Sequence, residues 1–211
     1  MAMTLYDFTL APSPRRTRIL LAEKGIAVDN VQVDLTKGEQ LTPEFRAINP
    51  CCTVPALKLE DGTVLTQNVA IASYLEDIHP DPPMLGTTPV ERAVVMDWNA
   101  RVEFEGLMAV AEVLRNRSKA MQGRALTGPD DYAQIPELAE RGRARLKRFF
   151  ATLDEALGGR EFLATERYSF ADITAFVVVD FAKWVKAEPE EGHLNLRRWF
   201  AACATRPSAQ A

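Results

Sequence analysis

A serine stands next to a cluster of arginines near the start of the chain, in the run LAPSPRRTRILLAEKG (residues 10–25). Ser13 followed by Pro14 is typical of a helix N-terminus, because serine caps free N–H groups and proline has none to satisfy. A helix start carries partial positive charge that stabilises an anion, and the arginines within residues 15–18 add to it. A thiolate held there would have a lowered pKa and would act as a nucleophile. The alternative interpretation is that Ser13 caps a helix and does nothing more.

The thiol cannot come from this turn itself. The run Ser13-Pro14-Arg15-Arg16 contains no cysteine, although a thioredoxin-type protein carries its Cys-x-x-Cys pair at this place. We therefore expect the thiol to arrive with a bound cofactor.

Two further segments offer polar groups at the ends of predicted elements. Val54 precedes Pro55 just before a strand, and a cis peptide there leaves the N–H and C=O of Val54 free to pair with a peptide backbone. Gln67 and Asn68 begin a helix, where Asn68 can cap and the first N–H groups can hold a carboxylate. The alternatives are a loop proline without a ligand and an ordinary helix cap.

The elements that carry these residues alternate between strand and helix. The hairpin within 54–66 turns at Asp61-Gly62, a strong turn signal between two apolar runs. The order predicts a βαβ unit followed by a ββα unit, and hence a mixed sheet with helices on its faces. The predicted strands are 3–8, 28–35 and the two in the hairpin, and the predicted helices are 13–24, 42–48 and 68–78.

The composition then changes. The run HPDPPMLGTTP (79–89) contains four prolines and no periodic pattern, which indicates a linker. Everything after it has helical periodicity, and Ser169 with Asp172 forms a capping-box-like pair at one helix start. The predicted helices are 90–117, 137–157, one from 169 and one over 193–205. We expect an α/β domain (1–79), a linker (80–89) and an all-helical domain (90–211).

Bulk properties limit the function classes. The chain has 211 residues and a formal charge of −4, so no global basic field favours nucleic acid or an anionic membrane. Three cysteines and no evident signal peptide favour a reducing compartment, and we expect a cytoplasmic protein. The longest apolar stretch, 173–179, is far shorter than a membrane span. Cys51-Cys52 does not form a zinc set, so no metal is expected.

Five segments, in order and at matching spacing, resemble the cytosolic glutathione transferase family, with a serine-type bacterial member as the expected class. They cover essentially the whole chain. The resemblance implies a thioredoxin-like α/β domain plus an all-α domain, glutathione as co-substrate, and usually a homodimer. The shared pieces are Ser13 followed by Arg18-Ile19, PEFRAINPxxxVP (43–55), DGTVLTQNVAIASYL (61–75), SFADIT (169–174) and RPSAQA (206–211).

The resemblance also assigns roles to particular residues. Ser13 corresponds to the serine that donates to the glutathione sulfur, and Asp7 takes the place of the tyrosine that other members use. Val54, before Pro55, corresponds to the residue that pairs with the cysteinyl backbone. Gln67 and Asn68 stand where members of the family bind the γ-glutamyl end of glutathione, commonly with the residue pair Glu-Ser.

The glycyl carboxylate would be held by Gln40, with Lys37 as the alternative, although the basic residue that is frequent at the place of Leu41 is missing. Cys52 stands where many members have glycine.

The second substrate would be a small apolar electrophile in the helical domain. Trp98, Phe104 and Met108 are the expected pocket residues, although helical spacing alone would place them in a core. Asp97 and Arg101 are the expected contacts across a dimer.

Two other functions stay open. One is a glutathione-dependent disulfide reductase or peroxidase, and the other is a non-catalytic ligand-binding or interaction module.

Overall fold

Strands and helices alternate along the first part of the chain in the computed structural model, which describes residues 3–211. The strand order is β2-β1-β3-β4, with β1 parallel to β2 and antiparallel to β3, and with β3 antiparallel to β4. The predicted mixed sheet is therefore confirmed. The elements are β1 (Thr4–Asp7), α1 (Pro12–Lys24), β2 (Asp29–Gln32), α2 (Pro43–Ile48), β3 (Ala56–Lys58), β4 (Val64–Leu65) and α3 (Asn68–Ile78).

The second part of the chain is helical. Short 3₁₀ turns separate several of its helices, and no described helix is long and apolar enough to cross a membrane. The elements are α4 (Pro89–Arg101), a π-helical segment (Val102–Leu107), α5 (Met108–Arg117), α6 (Pro136–Ala156), α7 (Phe170–Ala182) and α8 (Leu194–Ala204).

By internal contacts the chain divides into two units. The first unit holds the chain up to Pro82 together with Thr127–Asp130 and Ala211, and the second holds Pro83–Leu126 and Asp131–Gln210. The first two residues of the predicted domain 1–79 lie outside the described part of the chain.

Two helix starts differ from the prediction. Ala11, not Ser13, is the N-cap of α1, so Ser13 is the second helical residue. The reason is that Pro12 has the φ angle of a first helical turn and extends the helix beyond the serine. Gln67, not Asn68, is the N-cap of α3, and no side-chain cap bond forms there.

The second strand is also shorter than predicted, since it covers Asp29–Gln32 rather than 28–35. Asp34 ends the extended segment because its carboxylate accepts hydrogen bonds from Thr36 N (2.9 Å) and Thr36 Oγ1 (2.6 Å). Such a side-chain turn competes with strand pairing.

The predicted helix 90–117 is not uniform. A π-helical turn over Val102–Leu107 separates α4 from α5, and Met108 N donates to Glu103 O, five residues earlier. Gly106 lies in this turn, and an added Cβ would be 2.6 Å from Phe149 Cζ and 2.8 Å from Val178 Cγ1. The helix therefore approaches its neighbours closely at a point where only glycine fits.

The predicted pairing of Ser169 with Asp172 at the start of α7 is confirmed. Asp172 is fully buried, and its Oδ2 accepts hydrogen bonds from Ser169 N (3.0 Å) and Ser169 Oγ (2.9 Å). Its Oδ1 accepts from Leu163 N (2.8 Å) and Trp199 Nε1 (3.0 Å). Burial raises the pKa of Asp172, and these four donors oppose that shift. This carboxyl ties three parts of the helical unit together.

Candidate functional site

Ser13 lies half-buried in the first turn of α1. Its Oγ accepts a hydrogen bond of 3.2 Å from Arg16 Nη2, one turn further along the helix. Arg16 is buried, with 4% of its surface exposed. The arginine cluster singled out in the sequence therefore does contact the serine, through one of its three members.

Arg18 pairs with Asp7 and with the backbone of Thr9 rather than with Ser13. Its Nη1 is 2.6 Å from Asp7 Oδ1, and its Nη2 donates to Thr9 O at 2.9 Å. Asp7 is buried at the end of β1, and its Oδ2 also accepts from Asn30 Nδ2 (3.2 Å) and Gln32 Nε2 (3.0 Å). This network ties β1, β2 and α1 together around the loop that leads into Ser13.

Tyr6, the neighbour of Asp7, packs its ring edge-on against Phe45 with the centroids 6.0 Å apart. Tyr6 thus belongs to the side of the sheet that packs around Val33, Phe45 and Val54. Asp7, which the resemblance aligns with the tyrosine of other members, presents a carboxylate that is already paired.

Val54 precedes Pro55 across a cis peptide bond, as expected from the sequence. Its side chain is buried, while its backbone N–H and C=O have no hydrogen-bond partner among residues 3–211. A residue whose backbone N–H and C=O are both open can pair with a peptide backbone as an added strand does. Cys52, two residues earlier, has φ of 53°, the left-handed region that favours glycine.

Asn68, at the first position of α3, is buried. Its Oδ1 accepts a hydrogen bond of 2.8 Å from Thr17 Oγ1 on α1. Because the carbonyl oxygen is used, the amide N–H₂ of Asn68 is the group left for another partner. Gln67 is exposed beside it, at the helix cap. The amide pair thus presents donors at a helix N-terminus, where an anion is stabilised.

Gln40 is 2% exposed, and neither its Oε1 nor its Nε2 has a hydrogen-bond partner within the described chain. It lies in the 3₁₀ turn Glu39–Leu41. Burying an unpaired amide costs free energy, so a partner that pairs with it would be bound favourably.

Lys37, the alternative to Gln40, is largely exposed and forms an ion pair of 3.1 Å with Asp34. Hydrogen bonds from Thr36 and the neighbouring Lys37 ammonium lower the pKa of Asp34 to about 2. A second cation touches this loop, since Arg46 Nε donates to Leu41 O at 3.1 Å.

In the helical unit, the residues expected to form the substrate pocket are less buried than helical spacing suggests. Phe104 is 69% exposed and Met108, four residues later, is 45% exposed. The guanidinium of Arg145 lies 5.0 Å from the Phe104 ring, and Arg145 Nη2 donates to Phe104 O. Trp98 is half-buried and stacks on Arg101 at 4.8 Å, while Arg101 also pairs with Asp97 at 3.2 Å.

One residue of this site was not singled out in the sequence: Thr17, which connects α1 to Asn68, whereas Arg16, which contacts Ser13, was named as part of the arginine cluster. Both lie one turn after Ser13, at i+3 and i+4, and such residues share a face of a helix. Helical periodicity could have indicated that they face the same way as Ser13. It could not have identified Asn68 as the partner, since that residue is 51 positions away.

No group of three or more metal-ligating side chains occurs between residues 3 and 211. Two family models match the chain: the glutathione S-transferase N-terminal domain over residues 11–78 and the C-terminal domain over residues 108–207.

Glutathione S-transferase 2 of Saccharomyces cerevisiae is 34% identical, with 99% of this chain and 88% of the relative covered. The maleylacetoacetate isomerase of Mus musculus is 43% identical over 67% of this chain and 79% of the relative.

Among solved structures, a glutathione S-transferase domain-containing protein of Marinobacter aquaeolei superposes with a TM-score of 0.90. It is 37% identical, with 97% of this chain and 98% of that chain covered. Together with the two family models, these matches confirm the thioredoxin-like plus all-helical architecture. This chain belongs to the glutathione S-transferase family, as an enzyme that uses glutathione as its co-substrate.

Proposed function

We propose that this enzyme binds glutathione on its α/β domain and activates the thiol as a thiolate for attack on a small apolar electrophile. The domain comprises residues 1–79 and is followed by a linker, 80–89, and the helical domain, 90–211. The observation that carries the proposal is the buried amide of Gln40, which has no partner among the residues described. A carboxylate that draws this amide into a hydrogen bond relieves an unfavourable burial.

Each part of the tripeptide has a matching group. Val54 pairs its open N–H and C=O with the cysteinyl backbone, next to Pro55. Asn68 turns its amide hydrogens to the γ-glutamyl carboxylate because Thr17 occupies its oxygen, and the exposed Gln67 meets the amine. Gln40 holds the glycyl carboxylate. Lys37 is the weaker choice, since Asp34 already balances its charge.

Ser13 is the catalytic residue of the proposal. Its hydroxyl lies in the first turn of α1 and donates a hydrogen bond to the sulfur, which favours the thiolate over the thiol. A thiol pKa lowered by about two units corresponds to roughly 2.7 kcal/mol in favour of the anion. The thiol proton goes to solvent, the sulfur bonds to the electrophilic carbon, and the leaving group departs.

The electrophile is bound by apolar side chains of the helical domain. Phe104 and Met108 offer exposed apolar surface there, with Trp98 as the third expected member. Exposed aromatic and thioether groups favour flat, polarisable ligands.

The enzyme is a cytoplasmic homodimer in this proposal. One face of α4 lines a shallow cleft of about 450 Å³ with Pro89, Val90, Ala93, Val94 and Asp97. Val90 is 72% exposed, which favours coverage by a second copy. Asp97 is part of this cleft, and Arg101 pairs with it at 3.2 Å. Light scattering of wild-type protein and of a Val90→Glu variant tests it, and a wild-type monomer would contradict it.

Substitution of Ser13 by alanine tests the activation step. Ser13→Ala should raise the pKa of bound glutathione by about two units and lower turnover at pH 7 by roughly 100-fold, with little change in glutathione affinity. Ser73→Ala, an exposed serine of α3, is the matched control. The pKa is read from thiolate absorbance in stopped flow. Equal values in Ser13→Ala and wild type would overturn the role of Ser13.

A panel of substrates distinguishes the remaining activities. The similarity to a maleylacetoacetate isomerase favours isomerisation of maleylacetoacetate as the second candidate. One purified sample should be assayed with chlorodinitrobenzene, a hydroperoxide, a mixed disulfide and maleylacetoacetate. If conjugation to chlorodinitrobenzene is the fastest reaction, the result supports the proposal. If another substrate reacts faster, the activity on that substrate takes the place of conjugation as the proposed function. Failure to retain immobilised glutathione would favour a non-catalytic binding module.

A further inference from the structure

The first turn of α1 has few main-chain donors for an anion. Pro12 and Pro14, the first and third helical residues, have no N–H. Arg15 N donates to Ala11 O at 3.4 Å. Among the first three helical residues only Ser13 therefore has an N–H, although most helix starts offer several. An anion held at this turn depends on side chains more than it does at an ordinary helix start.

Arg16 is the side chain that contacts Ser13. Its Nη2 is 3.2 Å from Ser13 Oγ, and 4% of the residue is exposed. Its neighbour Arg18 instead pairs with Asp7 at 2.6 Å and with Thr9 O at 2.9 Å. The two guanidinium groups thus serve different partners, although they are two positions apart.

The contact determines which way the serine hydroxyl acts. A guanidinium group can only donate hydrogen bonds, so Ser13 Oγ must be the acceptor in this pair. The single hydroxyl hydrogen is then left for another acceptor. A hydroxyl that accepts from a cation is also polarised and becomes a stronger donor.

We propose that Arg16 is a positioning residue for thiol activation, which acts through Ser13 by holding its hydroxyl as a donor towards the glutathione sulfur. The inference rests on the proposed function, since it takes Ser13 as the group that contacts the sulfur. It adds Arg16, one helical turn further into α1, as the side chain that makes the Ser13 hydroxyl the donor and the glutathione sulfur the acceptor.

Arg16→Met removes the donor and keeps the length of the side chain. We expect the pKa of bound glutathione to rise by about one unit, and kcat/KM at pH 6.5 to fall roughly tenfold. Arg15→Met removes the same charge one residue away, and it should cause less than half of that shift. Equal shifts in the two variants would mean that net charge acts rather than the contact, and would overturn the inference.

Arg16 is buried, so thermal unfolding and calorimetric glutathione binding are measured for every variant. Arg16→Lys keeps a charge and a donor, and it should recover part of the lost pKa shift. A merely structural role for Arg16 predicts that stability falls with no change in the thiol pKa of the folded fraction, and that result would overturn the inference.

A double-mutant cycle with Ser13→Ala separates this inference from the proposed function. In the Ser13→Ala background, Arg16→Met should add no further shift, because the residue acts through the serine. If Ser13→Ala raises the thiol pKa and Arg16→Met does not, Arg16 has no such role while the proposed function stands. If Ser13→Ala has no effect, the thiol activation proposed for Ser13 fails together with the inference.

Discussion

Thr17 Oγ1 donates a hydrogen bond of 2.8 Å to Asn68 Oδ1, and both residues are buried. The bond joins the first helix, which carries Ser13, to the start of the third helix, which carries the amide pair. It also determines which end of the Asn68 amide is available to a ligand. Thr17, which touches no substrate in the proposal, thus determines whether Asn68 presents its amide N–H₂ or its carbonyl oxygen to the ligand.

Thr17→Val tests this relationship with a side chain of nearly the same shape. The valine cannot donate, so the Asn68 amide loses the bond that orients it, and its oxygen can turn towards the carboxylate. We expect the dissociation constant for glutathione to rise about three- to tenfold with kcat little changed, and the unfolding free energy to fall by about 1–2 kcal/mol. Calorimetry and urea unfolding measure the two effects.

Thr17→Ser is the control for this change, because it keeps the hydroxyl and should retain most of the affinity. Wild-type affinity in Thr17→Val would show that the orientation of Asn68 does not matter for binding.

The turn that leads to Lys37 and Gln40 should respond to acid at an unusually low pH. The pKa of Asp34 is lowered from 3.8 to about 2, first by the hydroxyl of Thr36 and then by Lys37. Because the folded-state pKa lies below the unfolded value, the contribution of Asp34 to stability is present above about pH 3.8. It is lost as the pH falls through about 2.

Carbon-13 NMR titration of the Asp34 carboxyl measures this value directly. Thr36→Val removes the hydroxyl and should raise the pKa of Asp34 by about one unit, whereas Thr36→Ser should leave it low. A wild-type titration near 3.8 would contradict the hydrogen bonds described for this turn.

Gly106 is needed for the close packing of the π-helical turn. An alanine Cβ there would lie within 2.8 Å of Phe149 and Val178, which are part of the buried interior. We expect Gly106→Ala to lower the unfolding free energy by about 1–3 kcal/mol or more, since overpacking forces the neighbours to move. Denaturant unfolding measures the change.

Gly192→Ala serves as the comparison for Gly106→Ala, because nothing lies within 4 Å of an added Cβ at that position. Equal effects of the two substitutions would mean that the cost is one of backbone freedom and not of packing.

Local sequence signals predicted most elements correctly because they depend on neighbouring residues. Asp61-Gly62 marks the hairpin, and Gly62 has φ of 90° there. Thr42 caps α2 by accepting from Phe45 N at 3.3 Å. The pair Ser169 and Asp172 caps α7. In each case the donor, the acceptor and the turn lie within a few residues of each other.

The misassigned helix starts show where local signals fail. Both Ser13 and Asn68 are good cap residues by type, yet neither is the cap. Ser13 is displaced by a proline that extends the helix, a signal already present in the sequence. The side-chain oxygen of Asn68 accepts a hydrogen bond from Thr17 instead of capping the helix. The two residues are 51 positions apart, so a short stretch of sequence cannot show this contact.

The exposed residues of the expected substrate pocket are a second case. Phe104 and Met108 repeat at helical spacing with apolar neighbours, which predicts a core position. The structure exposes both side chains, and they lie within or directly after the π-helical turn Val102–Leu107, an irregularity that regular helical spacing does not anticipate.

The order of short motifs along the chain was enough to determine the family, the fold class and the use of glutathione. The resemblance to the glutathione transferases implies all three, and it rests on motifs at matching separations that include Ser13, Val54-Pro55 and Gln67-Asn68. Only the tertiary structure decided which polar atoms are already paired: Asp7 with Arg18, Ser13 with Arg16, and Asn68 with Thr17. The physical reason is that a hydrogen bond has a direction and needs two partners within about 3 Å, which spacing along a chain does not encode.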